Sequence, residues 1–288
     1  MAKINTYPVA TPAIDDELLG TDISDTGNDA NGETVQFTLE SLRDLFVKGK
    51  AQCYFQYTSS TICTLVRKNG AHIQIAGELH EIPSAGVTLG TSGLSNSTTY
   101  YVYVYDNAGT LTLEASTTGW AFSTTAGNEG VPIKSGDNTR TLVGMAYFQN
   151  TFYAHLTISY WNKVRRVHKF VETSMLTTTS TGAWVAIGTP VYFLHFSNSP
   201  NPRAFCTGGF KGSGAGVVVY ARLYLDGTTA QPAVLQGGQT YDAFCCTTYD
   251  SAVSEGLRYY QLFGIVGSGT GTYGITNTYP VTQVEFWG

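Results

Sequence analysis

Charge is scarce in this sequence of 288 residues, and its scarcity argues against several classes of protein. Lysine and arginine number 16 and aspartate and glutamate 21, so charged residues make up 13% of the chain and its net charge is −5. Soluble domains ordinarily carry about 25% charged residues. Nucleic-acid binding needs a clustered positive field, which this composition argues against. We expect a surface so poor in charge to be covered in part by other subunits.

Long apolar runs and a leader-like segment are also missing. No stretch approaches the ~18 apolar residues of a membrane span. The first 20 residues contain one lysine and no apolar core of the kind found in a secretory signal. We therefore expect a protein that is made and assembled in a cytoplasm. The five cysteines are too few and too irregular for a disulfide scaffold or a C-x2-C metal site, so we expect buried or partly buried thiols and no metal.

Helical periodicity is rare, whereas the alternation typical of β-strands recurs along the chain. It is clearest in residues 98–116, TTYYVYVYDNAGTLTLEAS, where two alternating runs flank a turn at 106–109. This pattern predicts a β-hairpin with one apolar face and one hydroxyl-rich face. An isolated hairpin is marginally stable in water, so this one must belong to a larger sheet.

The N-terminal segment differs from the rest of the chain. Residues 1–48 form a predicted arm in which proline, glycine and acidic residues break both periodicities. The arm ends in a predicted helix of about two turns, which is too short to stand alone and needs a partner. Its apolar stripe consists of Leu39, Leu42, Leu45 and Phe46.

Two sets of strands follow the arm. Residues 49–162 contain the first set, with a hairpin expected at Asn69-Gly70. Residues 170–288 contain a second set of about eight strands, which fits a jelly-roll sandwich. Between them, residues 163–169 concentrate positive charge and predict a solvated linker, with a strand edge or an anion-binding patch as alternatives. The basic residues there are Lys163, Arg165, Arg166 and Lys169.

Several strings resemble bacteriophage appendage proteins. Gly20-Thr21-Asp22 and Phe37-Thr38-Leu39-Glu40-Ser41-Leu42 resemble parts of an N-terminal attachment segment in those families. Residues 52–162, with GLSNSTTYYVYVYDNAGTLTLEASTTG and IKSGDNTRTLVGMAYF, are similar to a β-sandwich module of phage tail-fibre and head-fibre proteins. The second set of strands resembles the trimeric jelly-roll heads of phage fibres, which are similar to tumour-necrosis-factor-like domains.

This resemblance implies a virion protein, a tail fibre or spike-like adhesin that attaches the particle to the host cell surface. The arm, through its apolar stripe, would dock on another virion protein. The expected assembly is a homotrimer, formed in the host cytoplasm and located in the virion, with a host surface glycan or protein as its other partner. The alternative is a purely structural part, such as a head fibre, a capsid decoration or a tail connector protein.

Catalytic motifs are missing as well. The sequence has no G-x-S-x-G, H-E-x-x-H or P-loop string, and its five histidines are scattered. Depolymerase spikes use paired carboxylates, which Asp242 and Asp250 could supply across a hairpin, but the fixed sequence period of such spikes is missing. We therefore expect no enzymatic activity, no catalytic residues, no cofactor and no nucleic-acid partner.

The last 120 residues are rich in tyrosine and in glycine-containing loops. Tyrosine and tryptophan offer a large contact area with a polar tip, which suits protein interfaces and sugar rings, although the same residues also fill sandwich cores. Loops on a rigid sandwich commonly carry recognition residues. From loops 197–202 and 267–277 we predict receptor contacts at Asn198, Asn201, Tyr273 and Asn277.

Overall fold

The computed structural model describes residues 17–22, 33–38, 51–230, 235–237, 242–248, 253–274 and 279–288. These residues form antiparallel sheets, with one short 3₁₀ turn, Ala154–Leu156, between strands. The predicted all-β class is therefore confirmed. The predicted helix with Leu39, Leu42, Leu45 and Phe46 lies outside the described residues.

The N-terminal segment contains a pair of strands that the sequence did not lead us to expect. Strand β1 (Glu17–Asp22) pairs with β2 (Glu33–Thr38) in an antiparallel register. Leu18 is the partner of Phe37, and Gly20 is the partner of Val35. Each strand is only six residues long, so acidic and turn-forming residues around it conceal its pattern in the sequence.

Residues 51–162 form the first sandwich, which has eleven strands in three sheets. Its strands are β3 (Cys53–Ser59), β4 (Ile62–Arg67), β5 (His72–Ile75), β6 (Glu78–Glu81), β7 (Val87–Gly90), β8 (Thr98–Asn107), β9 (Thr110–Ser116), β10 (Trp120–Phe122), β11 (Pro132–Lys134), β12 (Asp137–Phe148) and β13 (Thr157–Ser159). A six-stranded sheet, here called the central sheet, has the order β10-β11-β12-β8-β9, with β13 paired to β12. The β3-β4-β7 sheet and the β5-β6 pair share one hydrophobic core with one face of it.

The predicted hairpin at 98–116 is confirmed as β8 and β9. Asn107 pairs with Thr110, and the two residues between them, Ala108 and Gly109, have φ values of 51° and 85°. Positive φ at both positions is what a type I′ turn requires. Glycine adopts a positive φ freely, whereas Ala108 does so against the usual preference of a residue with a Cβ, so the surrounding hairpin holds it there.

The second predicted hairpin, at Asn69-Gly70, is wrong. Both residues do have positive φ, but β4 pairs with β3 and β7, whereas β5 pairs with β6. The reason is Gln52, whose side-chain oxygen accepts hydrogen bonds from the backbone N–H groups of Ala71 and His72 at 2.9 and 3.1 Å. A distant side chain thus takes the hydrogen bonds that a hairpin partner would otherwise provide.

Residues 165–288 form the second sandwich, which has two sheets of six strands. Its strands are β14 (Arg165–Val171), β15 (Leu176–Thr178), β16 (Val185–Ala186), β17 (Val191–His195), β18 (Arg203–Gly212), β19 (Val219–Leu225), β20 (Thr229–Ala230), β21 (Leu235–Gly237), β22 (Asp242–Thr247), β23 (Gly256–Val266), β24 (Gly271–Tyr273) and β25 (Val281–Trp287). The terminal sheet has the order β14-β25-β18-β24-β15, with β22 on β18. The opposite sheet has the order β16-β23-β19-β20, with β17 on β23 and β21 on β19. This arrangement is compatible with the predicted jelly-roll sandwich.

The predicted linker at 163–169 is wrong for most of its length, and the strand-edge alternative is confirmed. Residues 165–171 form strand β14, which pairs with β25 along all seven positions and lies at the edge of the terminal sheet. Its residues alternate between exposed and half-buried positions. An edge strand with one solvated face tolerates charged side chains, which explains how a basic run can be a strand.

The two sandwiches share a core. Val102 and Val104 on one face of β8 pack within the first sandwich, as the predicted apolar face requires. On the other face, Tyr103 is fully buried in a cluster that includes Phe193 of the second sandwich. The hydroxyl-rich face of the hairpin therefore contacts the second sandwich, and the Tyr103 hydroxyl donates to the Thr118 carbonyl at 2.8 Å. The middle residues of β8 and β12 are therefore buried on both faces of the central sheet.

Replacing Gly144 with alanine is expected to lower the free energy of unfolding by about 3 kcal/mol. Gly144 lies on β12, where an added Cβ would press into the Phe55 ring and stand 2.6 Å from the carbonyl oxygen of Ile158. Urea unfolding of Gly144→Ala measures the loss. Gly90→Ala is the matched control, because nothing lies within 4 Å of a Cβ at that strand position. Equal stability of the two variants would contradict the expectation.

Candidate functional site: the junction, the loop end and an outer cleft

A carboxylate fastens the second sandwich to the first. Glu255, just before β23, accepts hydrogen bonds from the Tyr101 hydroxyl at 2.7 Å and from the Trp120 indole N–H at 3.1 Å. It also accepts from the backbone N–H and the hydroxyl of Ser197 at 3.1 and 3.0 Å. Tyr101, Trp120 and Ser197 all donate to this one carboxylate. We call the cluster around Glu255 the joint, because it links the two sandwiches.

The predicted receptor residue Asn198 belongs to the same joint. Its side-chain amide donates to the Tyr160 hydroxyl at 2.8 Å, and its oxygen accepts from the Lys163 ammonium at 2.7 Å. Lys163 also donates to the Ser199 hydroxyl at 3.0 Å. Burial lowers the pKa of Lys163 to about 8. Loop 197–202, expected to be a free tip, is thus held at the junction of the two sandwiches through its first three residues, and Asn198 already uses both of its polar atoms.

Acidification is expected to weaken the folded chain through His195, which is 1% exposed beside this joint. Burial, with Lys163 nearby, lowers the pKa of His195 from its ordinary value of 6.5 to about 4. Between these values the unfolded chain binds a proton that the folded chain does not, so the free energy of unfolding falls as the pH drops from 6.5 to 4. Urea unfolding at pH 7 and pH 4.5 should show a smaller loss for His195→Asn than for the original chain. Equal losses would contradict this role.

The glycine-rich loops meet at the other end of the second sandwich. The Ser213 N–H donates to the Thr270 carbonyl at 2.8 Å, and the Thr270 N–H donates to the Ser213 hydroxyl at 3.0 Å. The loop 213–218 therefore pairs with the loop 267–270, far from Glu255. The clustering of glycines in the sequence signalled both loops but not their pairing.

The prediction that Tyr273 contacts a receptor is wrong. Tyr273 is fully buried on β24, and its hydroxyl donates to the Tyr220 carbonyl at 2.6 Å. The short β24 alternates, so Gly271 and Tyr273 point into the sandwich while Thr272 is half-buried. The tyrosine was assigned to a loop because glycines surround it. Asn277 lies outside the described residues.

The outward face of the terminal sheet carries both polar and apolar side chains, which the strand register identifies. On β25 the side chains of Thr282, Val284 and Phe286 point into the core, so their neighbours point outward. Antiparallel partners share a face. The outward rows are Val167–Glu285–Arg203, Lys169–Gln283–Phe205–Thr247 and Val171–Val281–Thr207–Cys245.

A cleft of about 530 Å³ lies at the junction end of this face. Its walls come from three strands and from the loop before β18, which places charged, amide and aromatic groups around one space. The lining residues are Arg165, Pro200, Asn201, Pro202, Arg203, Thr248, Glu285 and Trp287. A volume of this size is in the range of small-molecule sites.

Charge in the cleft is unevenly paired. Glu285 lies opposite Arg203 in the β18–β25 register, yet its carboxylate binds Arg165 at 2.5 Å. The Arg203 side chain is exposed and has no ion pair or side-chain hydrogen bond within the described part of the chain. Trp287 is half-buried, and its indole N–H has no partner among the same residues. The cleft therefore presents an unpaired guanidinium beside an available aromatic ring.

Of the four predicted receptor residues, only Asn201 lines this cleft. Arg165 belongs to the basic run for which an anion-binding patch was one alternative. Arg203 and Trp287 were not predicted as site residues. The alternation of VTQVEFW indicates that Trp287 and Glu285 share a face, but only strand pairing with β14 and β18 brings both arginines to them.

Within the described ranges no group of three or more His, Cys, Asp or Glu side chains is placed to hold a metal ion. All five cysteines are free; Cys245 is exposed and the other four are buried. Burial raises the pKa of the Cys63 and Cys246 thiols to about 12. None of the helices in the described part is long and apolar enough to cross a membrane.

Comparison with known proteins gives only remote similarities. No family model matches the sequence, and no curated protein matches it. Among solved structures, BuGH86wt in complex with neoagarooctaose is 10% identical with a TM-score of 0.27; the match covers 93% of this chain and 40% of that chain. The structure of infectious bursal disease virus Gx strain is 13% identical with a TM-score of 0.27, covering 82% of this chain and 73% of that chain. Similarities at this level carry no argument about function.

Proposed function

We propose that the chain is a phage virion appendage protein that attaches the particle to the host cell surface through the outer face of its second sandwich. The observation that carries this proposal is the cleft, where Arg203 and Trp287 are held open on a rigid sheet without partners of their own. Unpaired guanidinium and indole groups are the residue types that dominate recognition surfaces. The phage assignment is supported by the sequence strings in residues 1–48 and 52–162.

The rigid union of the two sandwiches supports the same role. Glu255 and the shared core fix the cleft relative to the first sandwich, so force on a bound receptor would be transmitted through packed side chains and hydrogen bonds. Residues 1–48, including Leu39, Leu42, Leu45 and Phe46, would dock on another virion protein. A binding protein of this design has no need of a cofactor or a reaction.

The test is cell labelling with the fluorescent full-length chain over a panel of bacterial strains, followed by competition against phage adsorption. Trp287→Ala should lose most of the labelling. Trp184→Ala is the matched control, because Trp184 precedes β16 on the opposite sheet, with Arg222 over its ring at 4.8 Å. Labelling that both variants retain, or that no strain shows, would contradict the proposal. Density for the chain against the capsid lattice would instead favour a head fibre or a decoration protein.

The appendage is expected to be a homotrimer. The edge strand β14 of the terminal sheet leaves Val167 and Val171 about half exposed, at 55% and 45%. Closed assembly would cover such an edge. Light scattering of the full-length chain should give three times its mass of 31.0 kDa. A monodisperse monomer at micromolar concentration would contradict the expectation.

A further inference from the structure

We propose that the cleft binds a sugar residue carrying a negatively charged group, either a carboxylate or a phosphate. This inference rests on the proposed attachment function, since it names the chemistry that the cleft would recognise on a cell surface.

The pairing of charges in the cleft favours an anionic ligand. The cleft contains two arginines and one glutamate, so it carries one excess positive charge on a chain whose net charge is −5. Glu285 is already engaged by Arg165 at 2.5 Å, which leaves Arg203 as the unpaired cation. A guanidinium binds carboxylate and phosphate oxygens through two parallel N–H donors, which is stronger and more directional than a single contact. An anionic group of the ligand would complete the pairing of Arg203.

The position of Trp287 favours a ligand that contains a sugar ring. Trp287 is the direct antiparallel partner of Arg165, so the indole and the guanidinium stand side by side on the outward face. An indole offers a flat apolar surface and one polar N–H. The apolar C–H face of a pyranose can lie on that surface while its hydroxyl groups reach the surrounding polar atoms. A free inorganic anion would use the arginine and leave the indole uncovered.

The loop before β18 supplies a positioned amide. Asn201 stands between Pro200 and Pro202, and the pyrrolidine rings restrict the backbone on both sides of it. Thr248 also lines the cleft and is buried, and its hydroxyl accepts from the Ala204 N–H at 2.8 Å, so the backbone next to Arg203 is fixed. Preorganised groups lose less entropy on binding. The Asn201 side chain can donate to and accept from sugar hydroxyls.

The experiment measures binding of single sugars to the full-length chain by saturation-transfer NMR. The probes are glucuronic acid, glucose 6-phosphate and neutral glucose, and millimolar affinity is expected for a small polar ligand. Either or both anionic probes should show transfer that glucose does not, and the pair distinguishes a carboxylate from a phosphate. Equal transfer to glucose, or no transfer to either anionic probe, would overturn the inference.

Variants test the assigned residues, with melting temperature as the check on folding. Arg203→Ala should weaken anion binding roughly 10- to 100-fold. Arg203→Lys should weaken it less, because lysine keeps the positive charge although it lacks the two parallel N–H donors of the guanidinium. Glu285→Gln should tighten binding roughly 3- to 10-fold because it frees Arg165. Lys169→Gln removes the same charge from the same face outside the cleft and should change affinity less than about 2-fold at physiological salt. Unchanged binding by folded Arg203→Ala would overturn the assignment.

The outcomes separate this inference from the proposed function. A chain that labels cells but binds no anionic sugar would overturn the inference and leave the attachment function intact. A chain that binds anionic sugars through Arg203 but labels no cells would support the inference and count against attachment. If Trp287→Ala still shows full transfer to the anionic probes, the site binds anions without recognising the sugar ring. That result also overturns the sugar assignment.

Discussion

A fragment comprising residues 170–288 is expected to be unfolded or insoluble when expressed alone. The sequence places a domain boundary before Phe170, but the structure begins the second sandwich at Arg165. The cut would remove five of the seven residues of β14 and expose the edge of β25. An unpaired, partly apolar strand edge promotes association with other chains.

The cut would also open the shared core. Tyr103, Leu142 and Met145 of the first sandwich are fully buried in the same cluster as Phe193 and Phe196 of the second. Losing large apolar neighbours of this kind costs about 3–5 kcal/mol for each aromatic side chain removed from a packed core. Typical domains have a total stability of about 5–15 kcal/mol, so a few such losses suffice to unfold one.

Circular dichroism and limited proteolysis of three chains test this expectation. The full-length chain should resist protease, the fragment 170–288 should be digested completely, and a fragment 163–288 that retains β14 should be intermediate. The third chain separates the effect of the missing strand from that of the opened core. A fragment 170–288 that unfolds cooperatively within a few degrees of the full-length chain would restore the sequence-based boundary.

Strand positions could be predicted from the sequence because alternation is a local signal. The hairpin of β8 and β9 follows from its tyrosines, valines and turn residues alone. The basic run at 163–169 was wrongly predicted to be a linker because it carries charges on both faces of the strand. Arg165 and Lys169 face solvent, while Arg166 donates to the Ala154 carbonyl of the first sandwich at 2.6 Å. Charges on both faces of a strand conceal its alternation. The true role of Asn69-Gly70 depends on Gln52, a contact that no local pattern encodes.

The cleft could be predicted only in fragments. Asn201 was predicted as a receptor contact from its loop, and Arg165 entered only through the anion-binding alternative for the basic run, because loop composition and charge are local properties. Arg203 and Trp287 become a site only through the register of β14, β25 and β18, which joins residues far apart in sequence. Tyr273 shows the converse error, since a tyrosine beside glycines looks exposed until the pairing of β24 places it in the core. Long-range strand pairing is therefore the property that no local sequence pattern encodes.

Replacing Glu255 with alanine is expected to lower the free energy of unfolding by about 3–4 kcal/mol. Hydrogen bonds to charged groups contribute about 1.5–3 kcal/mol each, and partly buried donors left without an acceptor add a desolvation cost. The variant would leave the Tyr101 hydroxyl and the Trp120 indole N–H without their acceptor at the junction. It would also release Ser197, which holds loop 197–202 in place.

Urea unfolding of Glu255→Ala and Glu114→Ala provides the comparison. Glu114 pairs with Lys134 and with Arg140, the latter at 2.8 Å, wholly within the first sandwich and with a quarter or so of its side chain exposed. Ion pairs that reach solvent contribute about 0–1 kcal/mol, so Glu114→Ala should cost much less. Because Glu255 bridges the two sandwiches, its loss should also increase protease cleavage near loop 197–202, which the control should not do. Equal costs for the two variants, with no new cleavage, would mean that the shared core alone holds the sandwiches together.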